Sequence, residues 1–176
     1  SSDLDGVYWK RRGGGDGFEC AYDHTTPDWR YGSIYYGEIY RTTPEVVNEK
    51  FAGLDVLGID EEGAWNSPYI ISRADSTANT MFLGLKNVWR STNIKTPNKD
   101  DIIWEKISNG LSSNTTNLSE LEQCISNPNI LYASKDNRKL FRTNNALADS
   151  VIWTNLSLNL PVAQVTVNAM ETSPLD

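Results

Sequence analysis

The chain has 176 residues, a formal net charge of −7, 39% hydrophobic residues and 22% charged residues. This length and composition allow one ordinary domain with a sizeable core. The acidic balance argues against nucleic-acid binding, because acidic chains repel phosphate backbones. No apolar run reaches the roughly 18 residues of a membrane-spanning helix, so a spanning protein is not expected.

The first unit of the predicted structure covers residues 14–62. Three runs in it are rich in aromatic and β-branched residues, which favour strands. A weaker apolar run supplies a fourth strand, and the stretch over residues 44–48 can form a helical turn. The predicted strands are residues 18–22, 30–35, 38–42 and, more weakly, 56–59.

Two further units follow, over residues 63–111 and 118–160, and residues 161–176 begin a fourth. In the third unit, Asn and Pro at 127–129 supply a turn between the first two strands. The predicted strands are residues 68–72, 81–85, 88–91 and 102–107 in the second unit, and residues 121–125, 130–134, 139–143 and 151–156 in the third.

A period of about 50 residues built from short aromatic runs is typical of propeller blades. Arg41, Arg90 and Arg142 mark it, 49 and 52 residues apart. Apolar residues at consecutive positions, as over residues 130–133, indicate strands buried on both faces. The prediction is an all-β fold, a β-propeller of four-stranded antiparallel blades, of which about three and a half are visible.

A propeller closes with roughly four to eight blades. The sequence is therefore expected to be a fragment that continues before Ser1 and beyond Asp176. The alternative is that the short chain pairs with another copy of itself.

The turns between the third and fourth strands carry a degraded motif. Ser91-Thr92-Asn93 leads to Trp104, and Thr143-Asn144-Asn145 leads to Trp153. These turns resemble the Ser-x-Asp-x-Gly-x-Thr-Trp box of the BNR/Asp-box β-propeller superfamily, which includes sialidases, xyloglucanase-like glycoside hydrolases and sortilin-type receptors. The resemblance implies that the turns lie at the rim of the propeller, away from an active face.

Longer stretches of similarity cover Asp23 and residues 14–20, 31–33, 37–41, 63–69 and 84–90. They resemble large secreted propeller proteins of Bacteroidetes. The resemblance implies export, commonly by the type IX secretion system, and an extracellular or cell-surface location. It supplies a fold and a compartment rather than a reaction, since most members of that group have no established activity.

The three repeated arginines have two interpretations. Sialidases hold a substrate carboxylate with three arginines, and bidentate geometry suits that task. However, Arg41, Arg90 and Arg142 occupy the same place in each repeat, which favours a structural role.

Ligand-binding candidates lie near loops. The glycine loop, Gly13 to Gly17, permits a close backbone approach and carries Asp16, whose carboxylate can bind a cation or a sugar hydroxyl. Trp9 and Trp65 are candidates for stacking on a sugar ring. The alternative is a structural loop that leads into the first strand, with the aromatic rings buried between blades.

Catalytic candidates are the carboxylates Asp16 and Asp23, since glycoside hydrolysis uses two carboxyl groups. Glu19 and Asp23 can instead be solvated charges beside a strand, and residues 60–62 form an acidic, solvated loop. His24 is the only histidine and is expected in a surface turn. No metal site and no cofactor are predicted.

Two cysteines, Cys20 and Cys124, are expected to be buried thiols that form no disulfide with each other, because they belong to repeats that are not neighbours. Asp75-Ser76-Thr77 and Asp149-Ser150-Val151 resemble the Bacteroidetes O-glycosylation pattern, which makes Ser76 and Ser150 candidate acceptors in predicted turns.

The leading functional expectation is a non-catalytic extracellular module for adhesion, with a glycan or a protein at the cell surface as its partner. Export machinery would be a further partner. The alternatives are a fragment of a glycoside hydrolase of xyloglucanase or sialidase type, and a segment of secreted cargo with a structural role.

Overall fold

The computed structural model describes residues 15–160 and 166–173. Within them lie three four-stranded antiparallel sheets, each with its strands in chain order. Helix is limited there to single 3-10 turns at Tyr35–Gly37, Lys99–Asp101 and Ser157–Asn159. The all-β prediction is therefore confirmed, as are the four-stranded units. The described sheets do not close into a ring.

The first sheet corrects two predictions. Its fourth strand is Glu49–Ala52, which pairs with the third strand, whereas the strand was predicted at 56–59. Residues 44–48 form bends rather than a helical turn. The first sheet consists of β1 (Cys20–Tyr22), β2 (Arg30–Ser33), β3 (Ile39–Thr42) and β4 (Glu49–Ala52).

The second and third sheets match the predicted pattern more closely. The third strand of each begins and ends where it was predicted, but the fourth strands are shorter. The second sheet consists of β5 (Tyr69–Ile71), β6 (Met81–Gly84), β7 (Val88–Ser91) and β8 (Glu105–Lys106), and the third of β9 (Leu118–Gln123), β10 (Leu131–Lys135), β11 (Lys139–Thr143) and β12 (Trp153–Asn155).

Each sheet has two ends, which follow from its up-and-down strand order. The turns that join strands one to two and three to four lie at one end, called here the turn end. The hairpins that join strands two to three lie at the other, called the hairpin end, together with the segments that connect successive sheets.

The core fills the spaces between the sheets. On β6, the side chains of Met81 and Leu83 pack into the cluster shared with the first sheet, and Phe82 packs into the cluster shared with the third. All three are fully buried. The consecutive apolar residues of this strand are thus buried on both faces, because the second sheet lies between two neighbours.

Two arginines join neighbouring sheets at the turn end. Arg41 of β3 donates to the carbonyls of Ile94 and Thr96, both at 2.8 Å. Arg90 of β7 donates to the carbonyls of Ala146 and Ala148, at 2.8 and 3.0 Å. In both cases the acceptors belong to the turn between the third and fourth strands of the next sheet. We call Arg41 and Arg90 the interface arginines.

Two tryptophans make a complementary contact in the opposite direction. The indole Nε1 of Trp104 donates to the carbonyl of Phe51 at 3.0 Å. Trp153 donates in the same way to Ile107 at 2.9 Å. Trp104 immediately precedes β8 and Trp153 is the first residue of β12. Each reaches the fourth-strand region of the preceding sheet. Every sheet-to-sheet contact therefore combines an arginine and an indole with backbone acceptors.

The two cysteines differ in exposure. Cys124 is buried, as expected, but Cys20 is exposed, and no disulfide joins them. Across the described ranges, no helix has the length and apolarity that crossing a membrane requires.

Candidate functional site

Four aromatic side chains meet at the hairpin end of the first sheet, and we call them the aromatic cluster: Phe18, Tyr35, Tyr36 and Trp65. The ring of Trp65 stacks on that of Tyr35 with centroids 5.4 Å apart and an interplanar angle of 23°. Tyr36 and Phe18 meet Trp65 edge-on, at 5.3 and 6.1 Å. These are favourable geometries for aromatic pairs.

Half of the Trp65 side chain and 39% of that of Tyr36 remain exposed. The Tyr35 ring stacks on the indole, and half of Trp65 remains accessible to a ligand. Large aromatic residues that group together in contact with solvent commonly mark a binding surface.

Backbone geometry fixes the cluster. Tyr36 has a φ of 62°, in the left-handed region that a bulky residue seldom adopts, and Gly37 follows with a φ of 83°. The amide of Tyr36 donates to the carbonyl of Trp65, and the amide of Gly63 donates to the carbonyl of Tyr36. The hairpin is thus bonded to the segment that connects the first two sheets.

Close packing explains why glycine follows Tyr36. A Cβ atom on Gly37 would overlap the side chain of Leu85, which belongs to the hairpin of the second sheet. A Cβ atom on Gly63 would overlap Ser67 in the connecting segment. Backbone that deviates from preferred φ values often occurs at functional sites, where surrounding contacts hold it in place.

The glycine loop contacts this cluster. Gly15 has a φ of 69°, and a Cβ atom built on it would lie 3.4 Å from the Tyr35 ring. Asp16 follows and is exposed. The structure therefore brings the segment of Asp16 next to that of Trp65. Trp9, Gly13 and Gly14 lie outside the described residues.

Asp23 lies at the turn end, on the far side of β1 from Asp16. Its side chain is 1% exposed, and it pairs with Lys95 of the second sheet at 2.6 Å. It also accepts hydrogen bonds from Thr25 and Thr26. Burial raises the pKa of Asp23, but these contacts outweigh burial and leave the pKa below its ordinary value.

Asp23 is therefore a buried structural carboxylate rather than a solvated charge. About seven residues of largely extended chain separate it from Asp16, on the order of 20 Å. Glycosidase carboxyl groups lie about 5 to 9.5 Å apart. The structure does not bring these two candidates together.

The candidate glycosylation sites lie in turns, as predicted. Ser76 and Ser150 are exposed. The neighbouring Asp75 carboxylate accepts hydrogen bonds from Thr77, Asn79 and Thr80, which order that turn. Ser150 accepts a hydrogen bond from Asn145 through its backbone carbonyl, so its hydroxyl is not used for that contact.

The environment of the Glu61 carboxylate differs from the one that the sequence predicts. It was expected in a solvated acidic loop, yet it is 8% exposed. It accepts hydrogen bonds from the amide and side chain of Asn87, at 2.9 Å each, and from the indole of Trp89 at 2.6 Å. Glu61 thus anchors the connecting segment to the second sheet and is not available to a ligand.

Glu19 lies just before β1 and Glu120 lies on β9, and both have raised pKa values. The pKa of Glu19 lies above its ordinary value because the carboxyl is partly desolvated, although the residue as a whole is exposed, and the Tyr69 amide lowers it in part. Burial raises the pKa of Glu120, and the charges of Glu19 and Glu122 raise it further. Glu120 was not among the candidates predicted from the sequence.

A cavity of 340 Å³ lies between the second and third sheets, near the turn end. Thr172 lines it and donates to the carboxylate of Glu122 at 3.0 Å. The described ranges contain no group of three or more His, Cys, Asp or Glu side chains suited to a metal ion. His24 is exposed in the turn after β1, as predicted. The cavity is lined by Ile70, Arg73, Ala74, Glu122, Gln123, Ile125, Glu171 and Thr172.

Compared with known proteins, the chain matches no protein-family model and no curated protein at a significant level of similarity.

Proposed function

We propose that the chain is part of a β-propeller in a secreted or cell-surface protein, and that its aromatic cluster recognises a glycan without hydrolysing it. The single observation that carries this function is the half-exposed Trp65, whose indole stacks on Tyr35. A rigid aromatic platform loses little conformational entropy when a ligand stacks on it.

The neighbouring groups suit a sugar. An exposed carboxylate, Asp16, follows Gly15, which packs against Tyr35. A carboxylate accepts hydrogen bonds from hydroxyl groups, while the indole covers the apolar face of the ring. Ligand sites commonly combine an apolar surface with a few polar groups in this way.

Repetition supports the propeller. The same arginine and indole contacts recur at both sheet-to-sheet interfaces, and each sheet has the same up-and-down order. Sheets that bury their faces against neighbouring sheets stack in a row. In a propeller, such a row of sheets closes into a ring.

A glycan array probed with the full chain tests the function. Binding of at least one glycan class is expected, and Trp65→Ala is expected to weaken it by at least about tenfold, since one good stacking contact contributes about 1–3 kcal/mol. Tyr22→Ala is the matched control, because Tyr22 is 65% exposed but lies at the turn end. Equal binding by both variants and the parent chain, or no binding to any glycan, would contradict the proposal.

A glycoside hydrolase is the second candidate, and Glu19 and Glu120 favour it. Burial raises the pKa of both carboxyl groups, and the charge of Glu19 raises that of Glu120 further, as in a pair that keeps one carboxyl group protonated. Incubation of the bound glycan with the full chain, with release of reducing sugar as the readout, distinguishes the two functions. Release that is lost in Glu120→Gln would favour the hydrolase.

A further inference from the structure

Among residues 15–160 and 166–173, no sheet covers the outer face of the third sheet, whereas the next sheet covers the equivalent faces of the first two. Tyr132 and Arg142 are cross-strand partners on it. Tyr31 with Arg41, and Phe82 with Arg90, are the equivalent pairs of the first and second sheets. We call the open surface formed by Tyr132, Leu140 and Arg142 the third-sheet face.

Exposure separates this pair from its equivalents. Tyr31 is 3% and Phe82 0% exposed, because the following sheet covers each of them. Tyr132 and Arg142 are only half-buried. Within the described part of the chain, the guanidinium of Arg142 has no carbonyl acceptors like those that Nη1 of Arg41 and of Arg90 binds. The Arg142 guanidinium lies over the Tyr132 ring, 5.7 Å from the centroid.

The interface arginines show what Arg142 lacks. Nη1 of Arg41 binds the carbonyls of the first and third residues after Asn93. Nη1 of Arg90 binds the carbonyls of the first and third residues after Asn145. A half-buried guanidinium without acceptors is unfavourable. Arg142 is therefore positioned for a third turn of the same geometry.

The indole contact adds a second requirement. Trp104 and Trp153 each donate to a carbonyl near the fourth strand of the preceding sheet. At the third sheet the equivalent acceptor lies at the end of β12. The missing neighbour should therefore carry a tryptophan immediately before or at the start of its own fourth strand.

The first sheet does not meet these requirements. Pro44 stands three residues after Arg41, where the other sheets have Asn93 and Asn145. Asn48 stands before β4, where the others have tryptophan. A second copy of this chain, docked through its first sheet, would offer Arg142 neither the turn nor the indole.

Residues 166–173 lie beside β9, where the first strand of a following sheet would lie. The amide of Thr172 donates to the Glu122 carboxylate at 3.2 Å, as the amide of Tyr69 donates to Glu19 at 3.4 Å. Ser119 also donates to the carbonyl of Val167. Residues 166–173 thus contact the first strand of the third sheet in the way that the first strand of a following sheet does.

We infer that the third-sheet face is the docking site of a fourth four-stranded sheet of the same repeat. Its turn after the third strand would present two backbone carbonyls to Arg142, and its tryptophan would donate to the end of β12. This inference rests on the proposed propeller architecture and does not depend on glycan recognition.

Because residues 166–173 already contact β9 at the place of a first strand, each extension supplies only strands two to four. The first matched extension adds a copy of residues 72–111 after Asp176, with the Asn93 turn and Trp104. The second matched extension adds residues 124–160, so that the test still stands if one of the two misfolds. The control extension adds residues 23–62, which carry Pro44 and Asn48. Thermal unfolding is measured for each chain with and without Arg142→Lys.

The matched extensions should raise the unfolding midpoint, and Arg142→Lys should lower it in them by roughly 3–10 °C. The substitution should have little effect in the unextended and control chains. Equal effects in all chains, or no gain from either matched extension, would overturn the inference. A dimer of the unextended chain in sedimentation, broken by Arg142→Lys, would also overturn it and identify a second copy as the occupant.

Glycan binding is measured on the same chains. The Trp65 surface lies at the opposite end of the sheets from the arginine contacts. A lack of glycan binding would therefore contradict the proposed function without changing the unfolding result, so each proposal can be rejected independently.

Discussion

Arg41 in the first sheet and Ile94 in the second are joined by a 2.8 Å hydrogen bond across 53 positions of the chain. The guanidinium is fully buried and also binds Glu49 at 2.8 Å. A side chain so enclosed cannot clamp a substrate carboxylate. Arg90 makes the equivalent contact with the third sheet. The repeated arginines therefore join neighbouring sheets.

Removal of an interface arginine should destabilise the protein. Arg90→Met is expected to lower the free energy of unfolding by about 3 kcal/mol, because it removes the donor of the buried Ala146 carbonyl and of the partly buried Ala148 carbonyl. Arg142→Met is the matched control, with the same repeat position but no such acceptors, and should cost less than about 1 kcal/mol. Urea unfolding followed by tryptophan fluorescence provides the measurement, and equal losses would contradict the interface role.

The hydrogen bond of the Trp104 indole should contribute to stability in addition to the burial of its ring. Trp104→Phe keeps an aromatic ring but removes the donor to Phe51, with an expected loss of about 1–3 kcal/mol. Trp65→Phe is the control, since its ring is half exposed, and it should leave stability nearly unchanged. Circular dichroism melts compare the two variants, and a larger loss in the control would argue against the hydrogen bond.

A side chain at Gly37 should destabilise the protein through close packing as well as through the positive φ angle of this residue. Gly37→Ala introduces both an unfavourable φ and an overlap with Leu85, whereas Gly58→Ala has a φ of 85° and no atom within 4 Å. We expect the control to cost about 1 kcal/mol and Gly37→Ala at least about 1 kcal/mol more. Because Gly37 follows Tyr36, Gly37→Ala should also weaken glycan binding. Comparable losses in the two variants would refute a packing role.

Acid should weaken the turn held by Asp75. Burial raises the pKa of this carboxyl, but the four hydrogen bonds that it accepts outweigh burial and lower the pKa to about 2. A folded-state pKa below the unfolded value means that the stabilisation is complete above about pH 4 and is lost as the pH falls towards 2.

The expected result is therefore a steeper loss of stability between about pH 4 and pH 2 in the parent chain than in Asp75→Asn. The variant should already be less stable at pH 7, by about 1–3 kcal/mol. Asp28→Asn, at an exposed position in a turn of the first sheet, serves as the control. Parallel pH curves for the parent chain and Asp75→Asn would contradict the assignment.

Local sequence predicted the strands that lie in the middle of each sheet. Val88–Ser91 and Lys139–Thr143 are found where they were predicted, because consecutive apolar residues and flanking turns define them. The fourth strand of the first sheet was wrong, since Glu49–Ala52 begins with two charged residues. Its pairing with β3 and the burial of Phe51 outweigh that local preference.

The candidate site was predictable in part. Asp16 and Trp65 were selected as residues near loops, but their proximity depends on the left-handed backbone at Tyr36 and on contacts between the hairpin and the connecting segment. Glu61 and Asp23 were expected to be solvated and are buried. Their partners, Trp89 and Lys95, are distant in sequence, so a charge run alone does not reveal the pairing.

The period of the chain, its turn residues and its paired apolar positions predicted four-stranded units, because most of these strands pair with the strand that precedes or follows them in sequence. The contacts of the repeated arginines and the environment of each carboxylate depend on packing between the units. A side chain is buried or exposed according to what covers it, and here the covering residues lie about 50 positions away. Arg41 and Arg142 illustrate this: they occupy the same place in the repeat, yet one is enclosed by a neighbouring sheet and the other still lies at an open face.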